Sequence, residues 1–363
     1  MPKAASIDSI ALLVPYEPTD PQWEVLATNL ENGARMAIDH VGMQQEQLRV
    51  YATGGNAQQA EEAASAAIAD GADVILGPAF SHTTRAVAPI AAARRIPVYS
   101  FSNDQTVAGG NVTVLGLTAT DRATRLVGFS SVRGFRRAII VGEDTRSGNS
   151  AVDALIRAAD RYPHEVLDVI VHEFSQNGVI DAVERTLESA ETHQPDIIYF
   201  TGTSAGSLPL LTRLLNDRGL GPNELQYAGV SRWDIPQTAL RFQAFQGAWF
   251  PLPDPSLVNR FGETYEARYG TAPHPLASLG YDGVVVLQAM ATDRQFAAMR
   301  VREDGATVEG ATGHVRLLPD GTTRRGLVIG SIGNQQLYII RDSPLELAEV
   351  TLVDYFEIPE TDR

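Results

Sequence analysis

The sequence predicts an α/β protein built as two doubly wound parallel-sheet lobes, each sheet covered by helices on both faces. Three observations predict it. Short apolar runs alternate strictly with segments of three-to-four-residue periodicity, the mark of repeated βα units. These units number roughly five before residue 120 and about four after it, more than one open sheet holds comfortably. The length of 363 residues suits two domains at about 150 residues each.

Ile7 to Tyr16 holds the run Ile10-Ala11-Leu12-Leu13-Val14 and ends at Pro15 and Pro18, which reads as a strand buried on both faces. Thr19-Asp20-Pro21-Gln22 then supplies an N-cap with proline in the first turn, and Trp23, Leu26, Leu30, Ala34, Ala37, Ile38 and Val41 follow at helical spacing. The pattern repeats as strand 48–52, helix 56–70, strand 73–76, helix 81–94 and strand 97–101. It resumes as helix 121–133, strand 137–141, helix 147–161, strand 165–172, helix 178–191, strand 195–201, helix 207–218 and strand 224–229. The last third breaks this rhythm with helices over 256–269 and 277–299. Strands follow over 314–318, 325–331 and 336–340, with Pro319-Asp320-Gly321 as a turn. Two helices and a meander are too little for a third core, so they complete the first two lobes. This tail also argues against an eight-stranded barrel.

The charge excludes further classes. With 29 Lys and Arg against 44 Asp and Glu, the net charge of −15 opposes phosphate backbones and anionic lipid, so no nucleic-acid partner is expected. The absence of cysteine removes disulfides, thiolate nucleophiles and cysteine-ligated metals. Seven scattered histidines form no H-E-x-x-H or H-x-H pair, and no G-x-x-x-x-G-K-[ST] cradle occurs; no metal and no cofactor are expected. Met1 to Ser6 carries no apolar signal region, and no run of about 18 apolar residues exists. The chain is therefore expected to be cytoplasmic, or exported with its signal already removed.

In doubly wound sheets ligands sit beyond the carboxyl ends of the strands. Those loops carry Gly77-Pro78-Ala79-Phe80-Ser81-His82 and Phe101-Ser102-Asn103-Asp104 in the first half. In the second half they carry Glu143-Asp144-Thr145-Arg146-Ser147-Gly148, Gly202-Thr203-Ser204-Ala205 and Val230-Ser231-Arg232-Trp233-Asp234. The competing structural explanations are that Ser81 merely caps its helix, and that Arg232 forms a rim ion pair with Asp234 over a packed Trp233. Gly202-Thr203-Ser204-Ala205-Gly206 matches the G-x-S-x-G of a nucleophile elbow, between a strand and a helix, with Asp254, Asp282, His274 and His314 downstream. No HGGG-type oxyanion loop accompanies it, so a serine hydrolase is a remote alternative.

Five segments in order carry a resemblance: Ile10 to Pro15, Asn32 to Ile38, Val74 to Pro78, Ala88 to Ala91 and Ile96 to Asp104. Together with Gly310-Ala311-Thr312-Gly313 and Asp320-Gly321, they resemble type I periplasmic binding proteins of the Leu/Ile/Val-binding kind across nearly the whole chain. The Phe101 to Asp104 signature and the Gly77 to Phe80 loop most resemble the penicillin-binding-protein activators, lipoproteins that stimulate peptidoglycan synthases. The resemblance implies lobe one at 6–119 and 251–325, lobe two at 120–250 and 326–345, an acidic tail at 346–363, three crossovers and a cleft between lobes for a small molecule. It implies Ser81, Ser102, Asn103 and Asp104 as ligand contacts of lobe one. In lobe two the positions of the family's aromatic residues and acid carry Ser147, Thr203 or Ser204, and Ser231 or Arg232.

An ammonium group taken out of water needs an acceptor; Asp104 offers one, but Arg232 opposes it if it fills the acid position, so an anionic or sugar-like ligand, or none, is expected in place of a free amino acid. The expectation is therefore a non-enzymatic periplasmic module that activates a peptidoglycan synthase. It would be anchored to the outer membrane only through an N-terminal lipid that lies outside this chain. The alternative is the solute receptor of a branched-chain-amino-acid-type ABC transporter, with an ABC permease as partner.

Overall fold

The computed structural model describes residues 7–292 and 307–344. The expected end of the second long helix and the acidic tail at 346–363 lie outside the described residues. The chain opens with β1 (Ile10–Val14), α1 (Pro21–His40), β2 (Leu48–Ala52), α2 (Ala57–Ala69), β3 (Val74–Leu76), α3 (Ser81–Ala93), β4 (Val98–Ser100) and β5 (Val112–Val114). It continues with α4 (Ala119–Val132), β6 (Arg137–Glu143), α5 (Arg146–Ala159), β7 (Glu165–His172), α6 (Gln176–His193), β8 (Ile197–Phe200), α7 (Leu208–Asp217), β9 (Gln226–Gly229) and β10 (Trp249–Leu252). Helices α8 (Pro255–Tyr269) and α9 (Ala277–Thr292) follow, then β11 (Thr307–Gly310), β12 (Gly313–Leu317), β13 (Thr323–Arg325), β14 (Val328–Gly333) and β15 (Gln336–Arg341).

Two compact units result. Among the described residues the first comprises those up to Thr118 and Asp254–Gly326, and the second Ala119–Pro253 and Leu327–Pro344. The first holds a parallel sheet in the order β2-β1-β3-β4-β5 and the small antiparallel sheet β11-β12-β13. The second holds the sheet β15-β14-β10-β9-β8-β6-β7, parallel from β10 to β7 and antiparallel at β14 and β15. The α/β class of two parallel-sheet lobes is as the sequence predicts.

In the first unit every residue of β1 is buried, as its unbroken apolar run requires, and Ile10 pairs with both Leu48 and Val74. Asp20 caps α1 by accepting from the Gln22 and Trp23 amides. The apolar face of α1, through Leu26, Leu30, Ala34 and Ile38, shares one core with Leu279, Val284 and Leu287 of α9. Those two helices approach closely enough that a Cβ on Gly33 would lie 2.0 Å from the Ala277 carbonyl oxygen, and one on Gly280 2.0 Å from that of Leu30.

Two expectations need correction. The strand expected over 325–331 is two strands split at Gly326–Leu327: Arg325 ends β13 in the first unit and Val328 begins β14 in the second. No strand is expected at 249–252 from the sequence. Yet β10 lies between β9 and β14, with Pro251 opposite Ile329.

His164 carries a prediction about acid stability. Its Nδ1 lies 3.3 Å from the Ser131 hydroxyl, its Nε2 is buried without a partner, and its ring stands 5.5 Å from that of Tyr199. Burial pushes the imidazole below its ordinary value, with Asp196 and the backbone at Phe135 pulling the other way. The unfolded chain therefore takes up this proton first, below pH about 6.5, and stability falls as pH drops through that range. The melting temperature of His164→Gln should fall less between pH 7.5 and 5.5 than that of the wild type; equal slopes would contradict this.

Candidate functional site

Each parallel sheet has one place where the strand order reverses, and the crevice beyond the carboxyl ends there is where such sheets bind ligands. In the first unit the chain runs from β1 outward to β2 and back across to β3, so the reversal falls between β1 and β3. Tyr16 follows β1 and Gly77 follows β3. Gly77 has φ +96°, and a Cβ there would lie 2.3 Å from the Leu13 carbonyl oxygen, so only glycine fits. Tyr16 donates to Glu31 at 2.8 Å; burial, with Glu31 beside it, pushes its phenol up to about 12, so it remains a neutral donor.

The loop after β3 delivers the start of α3 to this crevice. The capping position is Phe80, in extended backbone and without a side-chain cap, so Ser81 is the first helical residue and not the cap. The Thr83 and Thr84 hydroxyls turn inward to the Phe80 carbonyl at 2.9 and 2.8 Å. Among the described residues, nothing accepts from the Ser81, His82 and Thr83 amides, and the Ser81 hydroxyl makes no hydrogen bond. Free first-turn amides with a free hydroxyl favour an anion. Trp23 and Phe80, ring centres 4.7 Å apart, and His82, 5.7 Å beyond Phe80, stack beside them.

The other first-unit candidates divide in two. Ser102 is 3% exposed and belongs to a relay of hydroxyls: Thr84 to Ser100 at 2.7 Å, the Ser102 amide to Ser100 at 3.1 Å, and the Asp104 amide to Ser102 at 3.1 Å. This relay ties the α3 start to the loop after β4. Asp104 caps a short 3₁₀ turn through Thr106 and pairs with Arg85 at 3.0 Å. Burial raises its pKa, but Thr106 and Arg85 together outweigh that and hold the carboxyl below its ordinary range. Asp104 is thus committed to its own chain. Asn103 is exposed.

In the second unit the chain runs from β6 out to β7 and back across to β8, so the reversal falls between β6 and β8. Glu143, the last residue of β6, occupies that place and was missed as a candidate. It is 8% exposed; its Oε2 accepts from the Ser207 hydroxyl at 2.5 Å and amide at 3.3 Å. Its Oε1 accepts from no described residue, and it is not among the sealed-off polar atoms, so it keeps contact with solvent. A Cβ on Gly202 would lie 3.5 Å from Oε2, and one on Gly206 would lie 3.2 Å from it and 3.0 Å from the Thr203 hydroxyl oxygen. The two glycines of the G-x-S-x-G match therefore make room for a carboxylate. Ser204 is buried and donates to the Ile235 carbonyl, with the Arg232 carbonyl 3.4 Å away. Asp254 caps α8, and Asp282 pairs with Arg325, so both acids downstream of the motif are engaged elsewhere.

Ser231 donates to the Gly202 carbonyl at 2.8 Å, which joins the loops after β8 and β9. Arg232 pairs with Asp234 through both Nε and Nη2, while Trp233 is fully buried beneath. Arg232 thus makes the rim ion pair over a packed Trp233 that its structural explanation requires. Arg122, in the first turn of α4, has its pKa lowered by burial, with Asp121 opposing and Arg232 adding to the shift. Ser147 is exposed in the first turn of α5, 3.3 Å from the capping Thr145 hydroxyl, and Thr203 is exposed. Phe174, just after β7, is 63% exposed with its ring 3.5 Å from where a Gly206 Cβ would stand.

The "Periplasmic binding protein" family model matches residues 22–336, and the chain belongs to that family. No curated protein sequence matches the chain. Among solved structures, the protein from Rhodospirillum rubrum provisionally assigned as a branched-chain amino acid ABC transporter superposes with TM-score 0.76 at 19% identity, covering 92% of this chain and 99% of its own. A solute-binding protein of an ABC transporter from Rhodopseudomonas palustris BisB5, in complex with 3,4-dihydroxybenzoic acid, gives 0.61 at 16%, covering 92% and 96%. A Desulfitobacterium hafniense ABC transporter substrate-binding protein in complex with Leu gives 0.64 at 19%, covering 91% and 99%. No helix among the described residues is long and apolar enough to cross a membrane.

Proposed function

We propose that the protein is the solute receptor of an ABC-type importer, acting in the periplasm and delivering a small organic anion to a membrane permease. The observation that carries this reading is the α3 start, where three amides and the Ser81 hydroxyl converge at the β1/β3 reversal without an acceptor from the chain. A carboxylate satisfies all of them and the positive end of the helix together. Family membership and the transporter proteins that share the fold support it; two of those were solved with carboxylate ligands, 3,4-dihydroxybenzoic acid and Leu.

The activator reading rests on the Phe101 to Asp104 signature and on a site that lacks the family's aromatic residues and acid. Arg232 pairs with Asp234, and Glu143 places a carboxylate in the same loop cluster, which favours the receptor over the activator. The test is a thermal-shift screen of small carboxylates on the wild type and on Ser81→Ala. A ligand at a hundred times its Kd should stabilise the wild type by about 2.7 kcal/mol. Ser81→Ala removes one charge-assisted hydrogen bond of about 1.5–3 kcal/mol and should weaken that ligand roughly ten- to a hundredfold. Equal affinity in the two proteins would remove Ser81 from the site.

A further inference from the structure

We propose that the free edge of β15 is a docking site for the chain's own C-terminal segment, Glu349 to Ile358, which adds to the second unit's sheet as an antiparallel strand and keeps that edge from pairing between molecules. The proposal concerns a surface of the second unit alone and is independent of the solute-receptor reading.

Three observations carry it. First, β15 is the last strand of its sheet: it pairs with β14 on one side, and among the described residues no backbone group pairs with the other. Such an edge presents a row of unpaired amides and carbonyls that recruits an extended chain. Second, Tyr338, Ile339 and Ile340 are 45%, 39% and 41% exposed. Successive residues of a strand face opposite sides, so Tyr338 and Ile339 leave both faces of this edge apolar. Exposed edges are ordinarily guarded by charge, proline, shortness or a cover. β15 runs over six residues, and Gln336 to Ile340 holds neither a charge nor a proline. Its one guard is a bulge, where Ile339 stands opposite Gly330 and Arg341 opposite Ile329. A cover is what this edge lacks.

Third, the chain itself supplies a matching segment. Residues 345–363 follow directly, and Glu349-Val350-Thr351-Leu352-Val353-Asp354-Tyr355-Phe356-Glu357-Ile358, ahead of Pro359, has the β-branched and aromatic composition of a strand. In a two-residue period Val350, Leu352, Phe356 and Ile358 share one face, and Val353 and Tyr355 the other, so this segment too is apolar on both sides. Its reach is sufficient. Arg125 holds the Asp342 carbonyl at 2.6 Å just past β15, and residues 342–348 are long enough to reverse the chain. Extended, 349–358 spans about 33 Å against about 20 Å for β15. An antiparallel return also brings Glu349 towards Arg341, opposite charges across neighbouring strands. A second copy of the chain is the weaker occupant: a tethered segment acts at an effective concentration of about a millimolar, and two chains of charge −15 repel each other.

The test is residue-resolved amide hydrogen exchange on the whole protein, with sedimentation velocity alongside. A strand paired on one edge protects alternate amides only, whereas one paired on both edges protects consecutive ones. In the whole, monomeric protein Leu337 to Ile340 should be protected without a gap. Val353→Pro, which removes an amide from the segment, should speed exchange of the outward-facing amides of β15 about tenfold or more. Deleting 345–363 should do the same and leave a protein that self-associates as its concentration rises. Should the deleted chain fail to fold, the protection pattern of the whole protein and the Val353→Pro result decide the matter. Alternate protection in the whole protein, exchange unchanged by Val353→Pro, or continuous protection in a species of twice the chain mass would overturn the proposal, the last by making a second copy the occupant.

Discussion

Replacing Asp282 with Ala should destabilise the first unit more than any other single change considered. Asp282 is fully buried in α9; its Oδ2 pairs with Arg325 Nη1 at 2.6 Å, and its Oδ1 accepts from the Ala311 amide at 2.6 Å. Arg325 spends its remaining donors on the Leu115 carbonyl, at 3.0 Å from Nε and 2.5 Å from Nη2. The pair therefore clamps α9, the β11-β12-β13 sheet and the end of β5. Removing the acid leaves a buried guanidinium without a counter-charge, at a cost of about 3–5 kcal/mol. For a unit of this size each kcal/mol lowers the melting temperature by roughly 2–4 °C, so the loss should reach about 6–20 °C. The double variant Asp282→Leu, Arg325→Met should recover much of it, because apolar replacement of both charges is commonly neutral or better. A single variant that melts with the wild type would show the pair to be solvated.

The second large effect is expected at Gly33. Alanine in place of a mid-helix glycine ordinarily stabilises by about 1 kcal/mol. Here the new Cβ would sit 2.0 Å from the Ala277 backbone oxygen, an atom that cannot rotate away. The helices α1 and α9 would have to separate, opening the core shared by Leu26, Leu30, Val284 and Leu287. The clash wins: Gly33→Ala should cost about 1–3 kcal/mol, and Gly33→Val more. Calorimetry should place both below the wild type in that order. A raised melting temperature for Gly33→Ala would mean that the helices have room to accept a methyl group.

Much of the architecture is legible in the chain because local signals coincide. Asp20 before Pro21 caps α1 as its residue types indicate, and Ile10 to Val14 is apolar throughout because both faces of its sheet are covered. What escapes is what depends on distant partners. The short run Trp249 to Leu252 yields no strand on local pattern, yet β9 and β14 pair on either side of β10. The run from Arg325 to Ser331 reads as one strand, though the chain leaves one unit for the other at Gly326.

The site divides the same way. Ser81 is visible because a loop serine at a helix start is a local feature. Asp104 looks free to hold a ligand until Arg85, on α3, is found beside it. Glu143 looks like one acid in a polar loop, since only the strand order reveals that β6 and β8 flank the reversal. The spacing of Gly202 and Gly206 just ahead of Ser207 is the available signal, and it resembles a nucleophile elbow more than a carboxylate pocket.

The most direct test of the receptor reading is calorimetric titration of the purified protein with leucine, benzoate and 3,4-dihydroxybenzoate. A solute receptor with an open helix start should bind at least one carboxylate at a single site per chain, and Ser81→Ala should weaken it about tenfold or more. Failure of every carboxylate to bind, or binding indifferent to Ser81, would contradict it.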